Sequence, residues 1–453
     1  MTSKKLYWAK WKENIRRRGW TFLFGFVVLL FLIPISGLIE LNSLHNAMSH
    51  AMLSAADAER VAMYEEEMRQ ALAGRIGFSE MMGIYGLAFA VLFAVQGFSF
   101  LFDQRKMDLY MSVPVSGQKR FLLIWANGIV MFAGSYLICL LAGWGIGAAW
   151  HVMSLEMLAE SMLAFLVNTL AFIAMYQVAL LAVMLTGNVL TALLGSFVLF
   201  IYEPVLRMLY GALKSSFFVS YCSADQRRLE AAPLFTPLSG YLNFVDGIRY
   251  ENGMFVRYLA DEYGNASGGW CSALAKESGL LLLSCLVTGL LVYYLFRRRK
   301  TESYHNAIAF PAWKPVLEAF LLTPFSLMAA LLVSNMADDK EFFLFAGGVA
   351  GILVGHALIQ LVYERDLRAI VKKRGAAAVA FLLTMLALCI FRFDLAGFDN
   401  YVPRADKIES VSVTLESDYS SFGYANLETG SMRTGLPDRL LTRMNSKEPE
   451  TIA

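Results

Sequence analysis

The sequence predicts an all-α polytopic membrane protein with about nine transmembrane helices, N-terminus inside, C-terminus outside, and a small extracytoplasmic β-containing tail. Composition is the first reason. The 453 residues are 57% apolar and only 17% charged, whereas an ordinary soluble domain is about 25% charged. Run length is the second: several apolar stretches reach the roughly 20 residues that cross about 30 Å of hydrocarbon. The third is the placement of Lys and Arg, which resist translocation when they flank a span.

The spans fall near 20–39, 80–101, 121–150, 157–186, 190–212, 278–296, 316–335, 342–363 and 376–392. The fourth and fifth meet at a tight polar turn, Thr186-Gly187-Asn188. With the N-terminus inside, the segments 1–19, 102–120, 187–189, 297–315 and 364–375 are cytoplasmic and hold 21 Lys/Arg against 6 Asp/Glu. The outer segments carry more acid than base. The reverse orientation would expose Arg16-Arg17-Arg18, Arg297-Arg298-Arg299 and Lys372-Lys373-Arg374 outside together, and is rejected. The first apolar run is too long for a cleaved leader, and no Ala-x-Ala-like site follows Leu38, so it is an uncleaved anchor.

Residues 1–19 form an amphipathic interfacial helix, with Leu6, Trp8, Trp11 and Ile15 recurring at helical spacing among Lys4, Lys5, Lys10, Lys12 and the three arginines. Tryptophan with lysine suits the headgroup layer of an anionic leaflet. The first outer loop, 41–79, favours helix around Glu65, Glu66, Glu67 and Arg69, a solvated face. His45 and His50 are five apart and do not share a helical face, so no metal site is expected. The outer segment 213–277 mixes Phe217, Phe218, Phe235, Tyr241 and Phe244 with turn residues. It is too apolar for a free loop and too broken for a span, and is expected to fold back onto the outer face. Cys222 and Cys271 both fall there and could pair; Cys139, Cys285 and Cys389 fall within spans. Spans seven to nine occupy 301–392. The tail 393–453 turns polar, alternates like a half-buried strand from Ile408, and ends in a disordered stretch.

No phosphate-cradling Gly-x-x-x-x-Gly-Lys-Ser/Thr loop, His-Glu-x-x-His, Cys-x-x-Cys or Gly-x-Ser-x-Gly is present. The chain is therefore expected to be no enzyme. Its net charge of +2 averages two opposite faces and implies no nucleic-acid partner. Within the spans, Glu203 and Arg207 lie one turn apart beside Pro204, an i, i+4 ion pair that either lines a substrate path or holds a broken helix end. Asn127, Asn168, Gln177, His356 and Gln360 are single polar residues expected to be satisfied by neighbouring helices. No chain of buried acids resembles a proton relay. Gly347, Gly351 and Gly355 form a small-residue stripe that would dock spans seven to nine onto the first six, or form a dimer seam.

The segment Asp103-Gln-Arg-Lys-Met-Asp-Leu-Tyr-Met-Ser-Val-Pro-Val-Ser-Gly-Gln-Lys-Arg120 lies between spans two and three. Charged residues are followed by a Ser-Val-Pro-Val core and by base before the third span. With an amphipathic N-terminus, six spans and a folded-back segment between spans five and six, this resembles the transmembrane subunit of type-2 ABC exporters, the type V exporter fold, over about residues 1–300. Val113 stands where leucine is commoner, and Gly117-Gln118 replace an early arginine. The rest, with Phe310-Pro-Ala-Trp-Lys-Pro and Tyr401-Val-Pro-Arg, is similar to a longer Gram-positive subgroup with an extracytoplasmic C-terminal domain.

The resemblance implies a six-span permease core at 20–300. Its coupling segment, 102–120, would sit in a groove of a separate cytosolic ATPase through Asp103, Arg105, Lys106, Asp108, Leu109, Tyr110, Ser112, Pro114, Lys119 and Arg120. ATP and Mg would be bound by that ATPase and no cofactor by this chain, which would work as a homo- or heterodimer in the bacterial cell membrane. An amphipathic or hydrophobic substrate would be moved outward. A different reading is a membrane sensor or scaffold whose outer segments bind a ligand; a third is an ion-coupled transporter.

Overall fold

A computed structural model describes residues 11–53, 58–112, 115–218, 221, 236–246, 248–251, 254–257, 270–299, 306–337, 341–364, 368, 374–399, 423–425 and 432–434. Among them, nine helical spans are long and apolar enough to cross a membrane. The helices are α1 (Gly19–Leu30), α2 (Ser36–Leu53), α3 (Ala58–Ile76), α4 (Glu80–Gly97), α5 (Gln104–Met111), α6 (Gly117–Ala149), α7 (Leu155–Leu185), α8 (Val189–Phe217), α9 (Pro237–Asp246), α10 (Trp270–Arg298), α11 (Lys314–Met336), α12 (Glu341–Glu364) and α13 (Gly375–Arg392). Two antiparallel strand pairs accompany them: β1 (Ile248–Glu251) with β2 (Met254–Arg257), and β3 (Gly423–Ala425) with β4 (Met432–Thr434). The strand expected from Ile408, and the suggested Cys222–Cys271 pairing, lie outside the described residues.

The helices outrun the apolar windows that predict them. Nothing in helical hydrogen bonding requires apolar side chains, so helix continues wherever packing supports it. The first span joins α1 to α2 without a break through a π-turn, Phe31–Ile35, which contains Pro34 and its missing N–H donor. Beyond the window, α2 and α3 form a hairpin that buries Leu41, Met68 and Leu72. The predicted turn between spans four and five is present: α7 ends at Leu185, and the Asn188 side chain caps α8 by accepting from the Thr191 N–H at 2.9 Å.

A continuous aromatic and aliphatic core lies among α1, α4, α6, α7 and α10. Phe132 and Phe172 stack at 3.8 Å between α6 and α7. Polar ties fix the register. Asn168 on α7 donates to the Tyr136 hydroxyl (2.8 Å) and accepts from the Tyr241 hydroxyl (2.7 Å). Tyr241 brings α9 against α4, where a Cβ at Gly83 would stand 2.8 Å from its ring. The hydroxyl of Thr288 on α10 donates to Gln177 on α7 at 2.9 Å.

The last three spans, α11 to α13, form a second unit. The glycine stripe belongs inside it: Cβ atoms at Gly347, Gly351 and Gly355 would meet Val333, Ala329 and Leu322 at 2.7–2.8 Å, so α12 lies directly on α11. The stripe joins span eight to span seven, and does not dock the trio onto the first six. Other contacts do that. One is main chain: the Ala309 N–H donates to Leu185 (2.7 Å) beside the Thr186–Ile308 bridge. Another is a cluster of Leu209 and Leu213 on α8 with Leu327, Ala330 and Leu331 on α11. A further one is Tyr202 on α8, whose ring stacks on Phe320 of α11 at 4.0 Å and whose hydroxyl donates to the Phe320 carbonyl at 2.9 Å.

Replacing Asn168 by leucine is expected to strand the Tyr136 hydroxyl, costing about 1–3 kcal/mol, and to remove a second bond, from Tyr241, whose hydroxyl keeps the Ser79 carbonyl at 3.2 Å. Tyr241→Phe removes one bond and should cost about 1 kcal/mol. Thermal unfolding of the protein in nanodiscs checks the order, Asn168→Leu well below Tyr241→Phe.

Candidate functional site

Residues 102–120 leave the bundle as a short helix and return as a long one. Asp103 is extended and caps α5, accepting from the Arg105 N–H at 3.0 Å. It also pairs loosely with Lys106 at 3.6 Å. A carboxylate at this position favours helix by answering the exposed N–H groups of the first turn. One face of α5 anchors it: Met107 is buried, and the Tyr110 ring stacks on Phe100 at 4.6 Å and 10°. The other face leaves Arg105, Lys106, Asp108 and Leu109 exposed.

The ten residues assigned to this segment from the sequence therefore divide. Asp103, Arg105, Lys106, Asp108 and Leu109 form an exposed or capping set around one helix. Ser112 and Lys119 are also exposed. Tyr110 is half-buried, and Arg120 is buried and donates to the Val115 carbonyl at 3.2 Å. These two hold the segment in place and do not present a surface. Val113 and Pro114 lie outside the described residues. The arrangement can offer a protein groove one mixed-charge face with a central leucine.

Behind α5 sits an arginine that sequence reading did not single out. Residues 11–17 are helical, and Trp11, Asn14, Arg18, Thr21, Gly25 and Leu29 follow one stripe into α1. Trp11 packs on the core, Asn14 is buried, and Arg18 is 4% exposed. The Arg18 guanidinium donates to the carbonyls of Phe93 (2.6 Å) and Ile124 (3.4 Å), and among the described residues no carboxylate pairs with it. Gly97 makes room for it, since a Cβ there would overlap the guanidinium. Nearby, the Asn127 amide donates to Asn14 at 2.8 Å. The N-terminal segment is thus bolted into the bundle beside α5. At the same end Arg299, just past α10, donates to the carbonyls of Val183 and Met184 at 2.7 and 3.1 Å. Burial pushes its guanidinium down to about 10.

Glu203 and Arg207 form the expected ion pair on α8, at 2.7 Å and mostly buried. They lie outside the walls of the apolar cavity bordered by that helix. A stronger intramembrane cluster was missed. Glu318 on α11 is 3% exposed; its Oε1 lies 2.5 Å from His356 Nδ1, and its Oε2 accepts from Gln360 Nε2 at 2.9 Å. The two partners sit one turn apart on α12, a spacing visible in the sequence, but the acid that joins them is 38 residues before His356. Ser326 and Thr384, 2.5 Å apart, tie α11 to α13. This is one acid–imidazole pair and not a relay, and among the described residues no group of three metal-ligating side chains occurs.

Comparison of the chain with protein-family models, curated proteins and solved structures gives no match.

Glu318→Ala should destabilise the trio by about 1–3 kcal/mol, because His356 and Gln360 each lose a buried bond to its carboxylate. Replacing Glu318, His356 and Gln360 together by leucine should cost less than that single change. Unfolding midpoints of the two variants decide. Gly97→Ala should displace Arg18 at a cost of about 1–3 kcal/mol, seen as a lowered midpoint and faster proteolysis near residue 18.

Proposed function

We propose that the chain is the permease subunit of an ATP-driven ABC exporter that moves an amphipathic or hydrophobic substrate out of a bacterial cell across its cytoplasmic membrane. The observation that carries this reading is α5. It is a capped helix outside the hydrocarbon-length spans, anchored by Met107 and Tyr110, with Arg105, Lys106, Asp108 and Leu109 turned outward. A surface of this kind, on a chain without a phosphate-cradling motif, fits a handle gripped by a separate cytosolic ATPase, which would bind ATP and Mg. Arg18 and Arg299 brace the elements behind it, so a push on α5 would reach α4, α6, α7 and α10 as a unit. A second copy or a paralogue would complete the pathway.

A sensor reading has one observation in its favour. Where the α2–α3 hairpin meets the end of α6, a cavity of about 390 Å3 is lined by His45, Glu65, Arg69, Trp150 and His151 among others. It suits a small polar ligand, and such binding without substrate movement would support that alternative.

Co-purification with a candidate cytosolic ABC ATPase co-expressed with this chain tests the proposal. Arg105→Glu with Lys106→Glu, or Leu109→Asp alone, should reduce recovery of the ATPase at least about tenfold, the equivalent of 1.4 kcal/mol, with the unfolding midpoint unchanged. Undiminished recovery in both variants would remove α5 as the handle.

A further inference from the structure

The pairs α7–α8 and α11–α12 approach at the end of the bundle that carries α5 but enclose a cavity of about 500 Å3 between them. Its walls include Gly195 and Val198 from α8, Leu321 from α11 and Ile359 from α12. Four wall residues carry a hydroxyl: Thr186, Thr191, Tyr202 and Tyr363. The first three turn theirs to the carbonyls of Ala182, Asn188 and Phe320, at 2.8, 3.1 and 2.9 Å. The remaining lining is almost wholly apolar. One end is closed by the Thr186–Ile308 bridge. The Lys314–Glu364 ion pair, 3.0 Å and partly exposed, joins the start of α11 to the end of α12 at that same level.

Length and chemistry select the occupant. Along α8 the cavity runs from Thr191 to Tyr202, about 16 Å of helix rise. That is half of the roughly 30 Å hydrocarbon thickness, the depth of one leaflet. Water gains nothing from such walls. A single hydrocarbon chain matches depth and chemistry, and the charged rim lies where a headgroup would be.

We propose that this cavity binds one acyl chain of a membrane phospholipid from the leaflet on the α5 side, with its headgroup beside Lys314 and Glu364. The chain fills the seam between the six-span core and the trio, so the lipid is a structural ligand of their junction. The proposal does not depend on the permease reading.

The test uses the full chain in nanodiscs of phosphatidylglycerol and phosphatidylcholine carrying a phospholipid with a mid-chain diazirine. After illumination, adducts are mapped by mass spectrometry. Adducts are expected on the α8 and α12 segments around Val198 and Ile359, and at higher yield than around Leu286 and Leu290 on α10, which are 64% and 70% exposed to bulk lipid. Gly195→Phe should fill the cavity, because a Cβ there meets Ala182 and Thr186 only at ordinary contact, 3.6 and 3.7 Å. Cavity adducts should then fall by about tenfold or more, because the ring takes the space the chain would fill in a close-packed site, while adducts at Leu286 stay constant. Val198→Trp is the second blocking variant should Gly195→Phe misfold. Equal labelling of the cavity and of α10, cavity labelling unchanged in a folded blocking variant, or Gly195→Cys cross-linking two copies through this seam would each overturn the proposal.

Discussion

A polar group placed in hydrocarbon has no water to turn to, so another part of the same chain must answer it. The packing of this protein follows from a few such answers. Asn168 joins α6, α7 and α9; Gln177 joins α7 to α10; Glu318 joins α11 to α12; Ser326 joins α11 to α13. Apolar contacts supply most of the area but are nearly indifferent to register, because a leucine is as well solvated by lipid as by a neighbouring helix. The hydrogen bonds decide which faces meet. Arg18 extends the same rule to a full charge: its guanidinium is met by main-chain carbonyls, and Gly97 withdraws so that it can reach them.

The molecule has two bundles of unequal cohesion. The core is laced by stacked aromatics and several polar ties, and the trio by a glycine stripe and a buried acid. Between them lie a short main-chain bridge, a small leucine cluster, the Tyr202–Phe320 contact and an apolar cavity. Movement between the bundles would disturb few hydrogen bonds.

The spans were legible because crossing hydrocarbon is a demand on composition, which a sequence displays directly. The helix ends were not, because α2, α3 and the last turns of α8 are held by packing after the apolar window closes. Asp103 could be read as a cap from its place before a charged helical run. Arg18 could not be told from Arg16 and Arg17 by charge. The spacing of Trp11, Asn14, Arg18, Thr21 and Gly25 did mark it, because that stripe runs unbroken into the buried face of α1. Glu318 was overlooked since one acid near the start of a span looks like an interfacial flank; only the fold sets it opposite His356 and Gln360. The glycine stripe announced a close helix contact without naming the partner, which is α11.

The π-turn at Phe31–Ile35 also has a bearing on how this chain can vary in length. A π-turn holds one residue more than the α-helical turn it replaces, and each α-helical residue turns the axis by about 100°. Leu29 before it and Leu41 after it are both fully buried. Losing a single residue here would let the helix run straight through in α form, one turn for one turn, and would leave everything beyond it facing as before. Leu41 would keep its place against Met68 and Leu72. A deletion in the α-helical stretches on either side would instead swing the hairpin by about 100°, a little over a quarter turn. The surplus residue thus acts as slack in the first helix, and its loss is a shortening of the span without a rotation of the hairpin.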